Sequence, residues 1–482
     1  MKQVDSPLQT NDAPLCIDLD GTLIRSDLQI ESLFALLKKN PLNLFLVFAW
    51  LWRGKAHMKE QIARRVELDV ANLPYDRPFC DYLQEQKGSG RQLLLVTASN
   101  EKYARQVADY LGLFDKVMAS DGAISLSGRR KAERLLAAFG ERGFDYAGNA
   151  RVDVKVWRHA RQALLVNPEP GVRRLAQRVT ELGPAFDDRP AGLATWLKAM
   201  RPHQWLKNLL LFVPLIMAHR VDEPGLLLQA VVAFVAFSLC ASSVYLLNDL
   251  FDLEADRRHR LKRRRPLAAG DLSVQRAVLL APLLLAVALL LSLLLPWRFT
   301  GVLLIYYLFT LAYSLRLKQS PLVDVLVLAG LYTLRIIAGA EAVALGSTFW
   351  LLAFSMFLFF SLAQVKRYSE LRDLDQEGEE AMNAARGYRA VDLEGLAQSG
   401  VVSGYLSVLV LALYINSPQI EGLYHHPKLI WLLCPLLLYW IGRVWMLARR
   451  GEMHEDPVLF ALRDRRSYAV ATLMALILWA AI

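Results

Sequence analysis

From Trp196 onward the chain is a succession of apolar segments, at about 205–218, 226–248, 277–295, 300–315, 322–343, 348–365, 396–416, 428–447 and 467–482. Each is near the length needed to cross the roughly 30 Å hydrocarbon core of a bilayer. The expected architecture for this half is therefore an all-α bundle of nine transmembrane helices. Hydrophobic residues make up 54% of the 482, too many for an ordinary soluble protein of two or three domains.

Charge orients the bundle. The connections after even-numbered segments carry about twenty Lys and Arg residues and those after odd-numbered segments about three, so the even-numbered exits are expected on the cytoplasmic side. The N-terminus then lies inside and the C-terminus outside, in a bacterial-type inner (plasma) membrane. The start, "MKQVDSPLQTNDAP", has no basic stretch leading into an apolar one and is not read as a signal peptide. A formal net charge of +10 would suit nucleic acid if it formed one basic domain. Instead the cations stand beside apolar segments, which fits anionic headgroups and phosphorylated substrates and excludes nucleic acid as a partner. Cys16, Cys80, Cys240 and Cys434 are far apart, without CxxC or a ligand-like histidine spacing, and indicate neither zinc nor a disulfide framework. Nothing in the sequence fixes the oligomeric state.

The segment 226–248 leaves the membrane through "LLNDLFDLEADRRHRLKRRRPL". On one α-helix, Asp249, Asp252 and Asp256 fall within roughly a 60° arc. Three carboxylates in one stripe repel one another at a membrane interface and call for a positive partner. Mg²⁺ suits them, because it takes oxygen ligands and is commonly held by one or two carboxylates with substrate phosphates. His259, Lys262 and Arg265 then offer cationic groups for a phosphorylated ligand. The bland alternative is a solvated helix end whose acids balance the arginines that follow.

The first 165 residues read differently. Short apolar runs ending in small or acidic residues, "PLCIDLDGT", "GRQLLLVTAS" and "FDYAGN", alternate with helical stretches, which means an α/β Rossmann-like domain with a parallel sheet. A mostly helical insertion at roughly 26–85 stands where a cap would. Its "NPLNLFLVFAWLWRG" is too short to span a bilayer but suits an interfacial element or the inner wall of that cap. Residues 166–195 carry proline, glycine and charge and read as a linker to the membrane domain at 196–482.

The acidic stripe, with Asn248 before it, matches the NDxxDxxxD signature and resembles the UbiA superfamily of intramembrane prenyltransferases. Within it, "RPHQWLKN" at 201–208, "EADRRHRLKRRRPLAAG" at 254–270, the stretch 312–339, "KRYSEL" at 366–371 and "EDPVLFALRDR" at 455–465 resemble the polyprenyl-phosphate phosphoribosyltransferase branch. The resemblance implies Mg²⁺ on the aspartates, phosphoribosyl diphosphate as donor and a polyprenyl phosphate as acceptor. Lys207, Lys318, Arg335, Lys366 and Arg367 are then candidate phosphate contacts; for Lys207 and Arg367 snorkelling at the interface is the competing reading. The second acidic motif of aromatic prenyltransferases is reduced here to Asp324, which argues against an aromatic acceptor. Arg335 lies within a span, where an unpaired cation is expensive, and Asp324 is either its partner or a further substrate ligand.

"PLCIDLDGT" resembles motif one of the haloacid dehalogenase-like (HAD) phosphohydrolases. In that chemistry Asp18 is the nucleophile that takes the phosphoryl group, and Asp20 protonates the leaving alcohol and then activates water. The resemblance further implies Thr97 as the phosphate-binding hydroxyl, Lys131 as the balancing cation, and Mg²⁺ held by Asp18, Asp20, Asn149 and Asp153. Asn149 stands where the family usually has aspartate, which should weaken metal binding. The fusion suggests two sequential steps, transfer of 5-phosphoribosyl and removal of its 5-phosphate. The alternatives are a prenyltransferase acting on an aromatic acceptor, and a transporter or lipid-binding scaffold with a vestigial hydrolase domain.

Overall fold

The computed structural model describes residues 13–122, 124–188, 192–377, 387–421, 423–453, 456–461 and 463–482. Of the stretches singled out above, residues 1–12, 189–191, 455 and 462 lie outside the described residues. The chain divides into two compact units, Met1–Met200 with Leu246–Leu280, and Arg201–Tyr245 with Ala281–Ile482.

In the first unit, β1 (Leu15–Ile17), β2 (Leu93–Asn100), β3 (Lys116–Ser120), β4 (Asp145–Gly148), β5 (Gln162–Val166) and β6 (Glu181–Phe186) form one sheet. All pairs are parallel, in the order β3-β2-β1-β4-β5-β6. The apolar runs seen in the sequence are strands buried on both faces, as a parallel sheet requires. Leu15, Ile17, Leu93 and Leu95 enter the core on one face, Cys16, Leu94 and Val96 that on the other, the two-residue alternation of a strand. At the strands' N-terminal edge the fully buried Asp145 accepts from Arg91, which precedes β2, and from Arg161, which precedes β5, at 2.9 and 2.6 Å. One carboxylate thereby ties the starts of three strands.

The sheet extends beyond residue 165, through much of the expected linker. β6 is an edge strand paired only with β5, half exposed and interrupted by Pro184. An edge tolerates proline and needs no continuous apolar run, which is why the sequence there lacks a strand pattern.

The helical insertion consists of α1 (Leu28–Lys39), α2 (Asn43–Trp52), α3 (Lys55–Ala63) and a 3₁₀ turn at Val70–Asn72. The next helix, α4 (Arg77–Gly88), gives Phe79 and Leu83 to the sheet's own core, so the cap closes before residue 77. Asp27 caps α1 by accepting from the Ile30 N–H at 3.0 Å, and Lys38 and Lys39 occupy its last turn. Val47 and Trp50 of α2 pack on Leu36, Met58, Ile62 and Val66, whereas Phe45 and Trp52 are 72% and 94% exposed.

Among the described residues seven helices, not nine, are long and apolar enough to cross a membrane: Pro224–Phe251, Val274–Ser292, Trp297–Leu315, Val323–Ala342, Phe349–Asp375, Asp392–Ile415 and Pro427–Arg450. The expected first span is instead a 3₁₀ run, Pro202–Phe212, followed by the short helix Val213–Met217. Pro214, inside the expected span, lacks the N–H that a continuous helix needs there, and the 3₁₀ run gives way to the short helix at that point. The expected last span is the helix Arg465–Ala481, whose 17 residues rise about 25 Å, less than the hydrocarbon core.

In the second unit, the helices pack through small residues that let backbones approach. A Cβ on Gly339 would lie 2.1 Å from the Leu211 carbonyl oxygen, so the helix Val323–Ala342 meets the 3₁₀ run only because that position has no side chain. Ser361 donates to the Gly400 carbonyl at 2.6 Å and accepts from the Trp445 indole at 3.1 Å, joining three helices. Gly339→Ala is expected to lower the thermal midpoint in detergent, at a cost of about 3 kcal/mol from overpacking. Gly330→Ala, where nothing lies within 4 Å of the added atom, should leave the midpoint unchanged or slightly raised.

Candidate functional site

The residues that the sequence suggests for a hydrolase meet at the C-terminal edge of the sheet. Asp18 follows β1, where its N–H donates to the Ala147 carbonyl of β4 at 3.0 Å. Its Oδ1 accepts from the Leu19 N–H at 2.9 Å and faces the Lys131 ammonium at the same distance. Lys131, on the helix Arg129–Phe139, also donates to the Tyr146 hydroxyl at 2.8 Å. Asp20 accepts from the Leu28 N–H at 2.9 Å and the Ser99 hydroxyl at 2.5 Å. Burial, with Asp27 nearby, pushes its carboxyl up to about 7, so near neutral pH it can hold the proton that a leaving alkoxide needs. Thr97 is fully buried in the second half of β2 and accepts from the Ser99 N–H at 3.0 Å.

Gly21 explains why DxDGT needs its glycine. It sits at φ +77°, and a Cβ there would come within 2.4 Å of the Asn149 side chain. Asn149 is thereby laid against the motif-one loop, with its oxygen accepting from Thr22 at 3.4 Å. Asp153 has both oxygens engaged by the protein: Oδ2 accepts from the N–H groups of Asn149 and Ala150 at 3.0 and 2.9 Å, and Oδ1 from Tyr146 at 3.1 Å. It shapes the loop that presents Asn149. Ser99, Tyr146 and the cap's Lys59, which donates to the Ala98 carbonyl at 2.7 Å, were not singled out from the sequence. Ser99 and Tyr146 fall within the stretches "GRQLLLVTAS" and "FDYAGN" without a role having been given to them, and Lys59 lies outside any short motif.

The acidic stripe also belongs to this unit. The helix Pro224–Phe251 stops one residue before Asp252, and a short helix, Leu253–Arg258, resumes after it. The stripe thus crosses a break where one continuous helix was expected. Asp249 and Asp256 are buried and share the Arg265 guanidinium, at 3.2 and 2.5 Å, so Arg265 is a partner of the acids themselves. Asp252 pairs with Lys38 at 2.7 Å. His259 accepts at Nδ1 from the Leu261 and Lys262 N–H groups, at 3.1 and 3.4 Å, closing the turn into Lys262–Arg264. Asn248 is half-buried in the last turn of the long helix.

Among the described residues no three His, Cys, Asp or Glu side chains converge as a ready-made cation cage. Both donor sets are nevertheless all-oxygen and anionic, one to three carboxylates each, the chemistry Mg²⁺ accepts when substrate phosphates and water complete its shell.

In the second unit, a buried network centres on Asp456. It accepts from Lys207 at 2.7 Å and from the Tyr332 hydroxyl at 3.1 Å, with Lys366 at 3.6 Å. Lys207 is buried, and so is Arg367, which pairs with Asp324 at 2.5 Å. Neither residue snorkels. Asp324 also accepts from Tyr388 at 2.5 Å. It is not the partner of Arg335: eleven residues of helix separate the two by about 16 Å. Arg335 donates to Asn208 at 2.9 Å, to the Leu331 carbonyl at 2.5 Å and to Tyr306 at 3.0 Å. Lys318 lies in the 3₁₀ turn Leu317–Gln319. Asp456 and Asn208 fall within the stretches 455–465 and 201–208, which were quoted for their resemblance without either residue being given a role.

Residues 209–465 match the model of the UbiA prenyltransferase family, and residues 15–188 that of haloacid dehalogenase-like hydrolases. A Sinorhizobium fredii protein, y4nM, is 35% identical over 480 residues, 98% of this chain and 92% of that one. The decaprenyl-phosphate phosphoribosyltransferase of Mycolicibacterium smegmatis is 36% identical over 196 residues, 40% of this chain and 62% of the enzyme. A UbiA homologue from Archaeoglobus fulgidus, solved with DMAPP and Mg²⁺, superposes with a TM-score of 0.45 at 18% identity, over 60% of this chain and 99% of that one.

The Asp324–Arg367 pair gives a direct test of the buried network. Asp324→Asn leaves a guanidinium without its carboxylate and is expected to cost about 3–5 kcal/mol. Adding Arg367→Met should recover part of that loss, measured as thermal midpoints in detergent.

Proposed function

The chain belongs to the UbiA prenyltransferase family, with a haloacid dehalogenase-like domain at its N-terminus, and from that premise we propose that it transfers 5-phosphoribosyl from phosphoribosyl diphosphate to a polyprenyl phosphate. The HAD domain then removes the 5-phosphate from the lipid product. The observation that carries this reading is the set of basic groups in the second unit. Asp324, alone where aromatic prenyltransferases cluster acids, is already neutralised by Arg367, while Lys207 and Lys366 gather on the single carboxylate of Asp456. Cationic surroundings of that kind suit a phosphate acceptor better than a phenol. Similarity to the mycobacterial phosphoribosyltransferases supports the same choice of donor and acceptor.

Asp249, Asp252 and Asp256 would hold Mg²⁺, which supplies charge neutralisation for the departing diphosphate. Arg265, released from Asp249 and Asp256, and Lys262 would bind diphosphate oxygens. No side-chain nucleophile is required, because the acceptor phosphate is itself anionic and attacks the anomeric carbon; the protein positions it. Lys207, Lys318, Arg335, Lys366 and Arg367 are the positioning cations in this reading, and His259 and Asn248 border the stripe.

In the hydrolase, Asp18 attacks phosphorus while Asp20 gives its proton to the leaving 5-oxygen. Asp20, now ionised, takes a proton from the water that cleaves the phosphoaspartate. Thr97 would contact the phosphoryl oxygens, and Lys131 balances Asp18. Asp18, Asp20 and Asn149 would hold Mg²⁺, and Asp153 keeps Asn149 in place. We place both activities on the cytoplasmic side of the inner membrane, with the exposed apolar side of α2 resting on that surface. On this reading the exposed Phe45 and Trp52 are the contacts with lipid.

Thin-layer analysis of the lipid product tests the sequence of steps. Wild-type protein given labelled phosphoribosyl diphosphate and polyprenyl phosphate should yield a dephosphorylated ribosyl lipid, and Asp18→Asn should accumulate its 5-phosphate. Asp249→Asn should reduce both products at least 100-fold. Label appearing only when a prenyl diphosphate and 4-hydroxybenzoate are supplied would overturn the proposal. Phe45→Ser with Trp52→Ser should slow hydrolysis of the lipid substrate and spare that of a water-soluble phosphomonoester.

A further inference from the structure

The loop that carries the acidic stripe is held by the phosphohydrolase domain's cap. Glu31, in the first turn of α1, receives both ends of the Arg257 guanidinium, at 2.8 and 2.6 Å, with both side chains only 6% exposed. Arg257 donates again to the Ala268 carbonyl at 3.3 Å, and Ser26 bonds Glu31 from the other side. One turn further along α1, the Phe34 ring meets Phe251 edge-on, with centroids 5.1 Å apart. At the end of the helix, Lys38 reaches Asp252. Off the helix, Arg258 pairs with Asp69 at 2.7 Å, and Gln275 donates to Asp27 at 2.8 Å.

A half-exposed lysine–aspartate pair is ordinarily a weak and dispensable contact, and cations in a last helical turn are common because they complement the helix dipole. This pair differs in its setting. The buried Glu31–Arg257 pair and the Phe34–Phe251 contact fix α1 at two points on the loop, and they leave its C-terminal turn beside the middle aspartate of the stripe. The ammonium is placed there by a built interface.

We propose that the phosphohydrolase domain supplies a positioning residue to the transferase motif. Lys38, carried on α1 and anchored by Glu31, neutralises and orients Asp252, and it must be displaced from that carboxylate when a divalent ion and the diphosphate of the donor occupy the stripe. The proposal rests on the reading of the stripe as the metal and diphosphate site. It makes the two domains interdependent, since the acid one reaction uses is oriented by a helix of the other.

The test uses the full-length protein in detergent, in an Asp18→Asn, Asn149→Ala background that removes the second metal site. Mn²⁺ binding is followed by electron paramagnetic resonance, and ribosyl transfer is assayed in parallel. Lys38→Met should tighten Mn²⁺ binding three- to tenfold, because a competing cation is gone, and should lower the metal concentration for half-maximal transfer by the same factor. Lys38→Arg should restore the original values. Glu31→Gln should reproduce the direction of Lys38→Met only weakly, and its thermal midpoint shows whether the domain remains folded. Unchanged Mn²⁺ affinity in a folded Lys38→Met protein would overturn the proposal. A shifted affinity in a protein that transfers no ribosyl group would leave Lys38 in this role and overturn the function proposed for the stripe.

Discussion

Charge compensation without water is the constraint on which both units of this protein depend. An ion removed from water loses far more solvation than a single distant partner can return, so each buried charge must bring a close counter-charge with it. Asp145 has Arg91 and Arg161; Glu31 has Arg257; Asp249 and Asp256 share Arg265; Asp324 has Arg367; Asp456 has Lys207. Aromatic rings add to this where a carboxylate is missing: Phe237, Tyr306 and Tyr332 all lie within 5.5 Å of the Arg335 guanidinium carbon. The pairs do two jobs. Those at the sheet's N-terminal edge hold strands together, while those around the acidic stripe and Asp456 keep buried carboxylates and cations in fixed places.

The two kinds of site were unequally legible in the sequence. Asp18 and Asp20 are separated by one residue at the end of an apolar strand, and Asp249, Asp252 and Asp256 by helical steps, so each set is legible from local spacing, although a helix break at Asp252 leaves the middle acid of the stripe with a partner of its own. Thr97 and Lys131 are recognisable because one ends the apolar run of a strand and the other lies in the first turn of a helix. The partners that matter most to the buried network are not local. Lys207 and Asp456 are 249 positions apart, Arg335 and Asn208 127, and Glu31 and Arg257 226. No periodicity or motif spacing connects residues at such distances, so the sequence suggested Asp324 for Arg335 on proximity along the chain, and the helix rise forbids it.

Element assignments failed for similar physical reasons. Apolar content predicts a span well when nothing interrupts the helix, as in Trp297–Leu315, and poorly in the stretch 205–218, where a 3₁₀ run gives way to a short helix at Pro214. The edge strand Glu181–Phe186 was hidden in an apparent linker because a half-exposed strand, which gives only Leu182 and Phe186 to the cores, has no reason to be continuously apolar. Membership of the UbiA family and the presence of a HAD-like domain were visible from short motifs, since those motifs are the parts of each fold that chemistry, not packing, dictates.

That edge strand has a mechanical consequence. β6 is the last strand of the domain, it is zipped to a single neighbour, and the chain leaves it toward the membrane segments. A sheet edge held by one neighbour is the strand that opens most readily, while the three strands pinned by Asp145 sit further in. The domain can yield by peeling one ribbon and re-forming it, without disturbing the loops that carry Asp18 and Thr97.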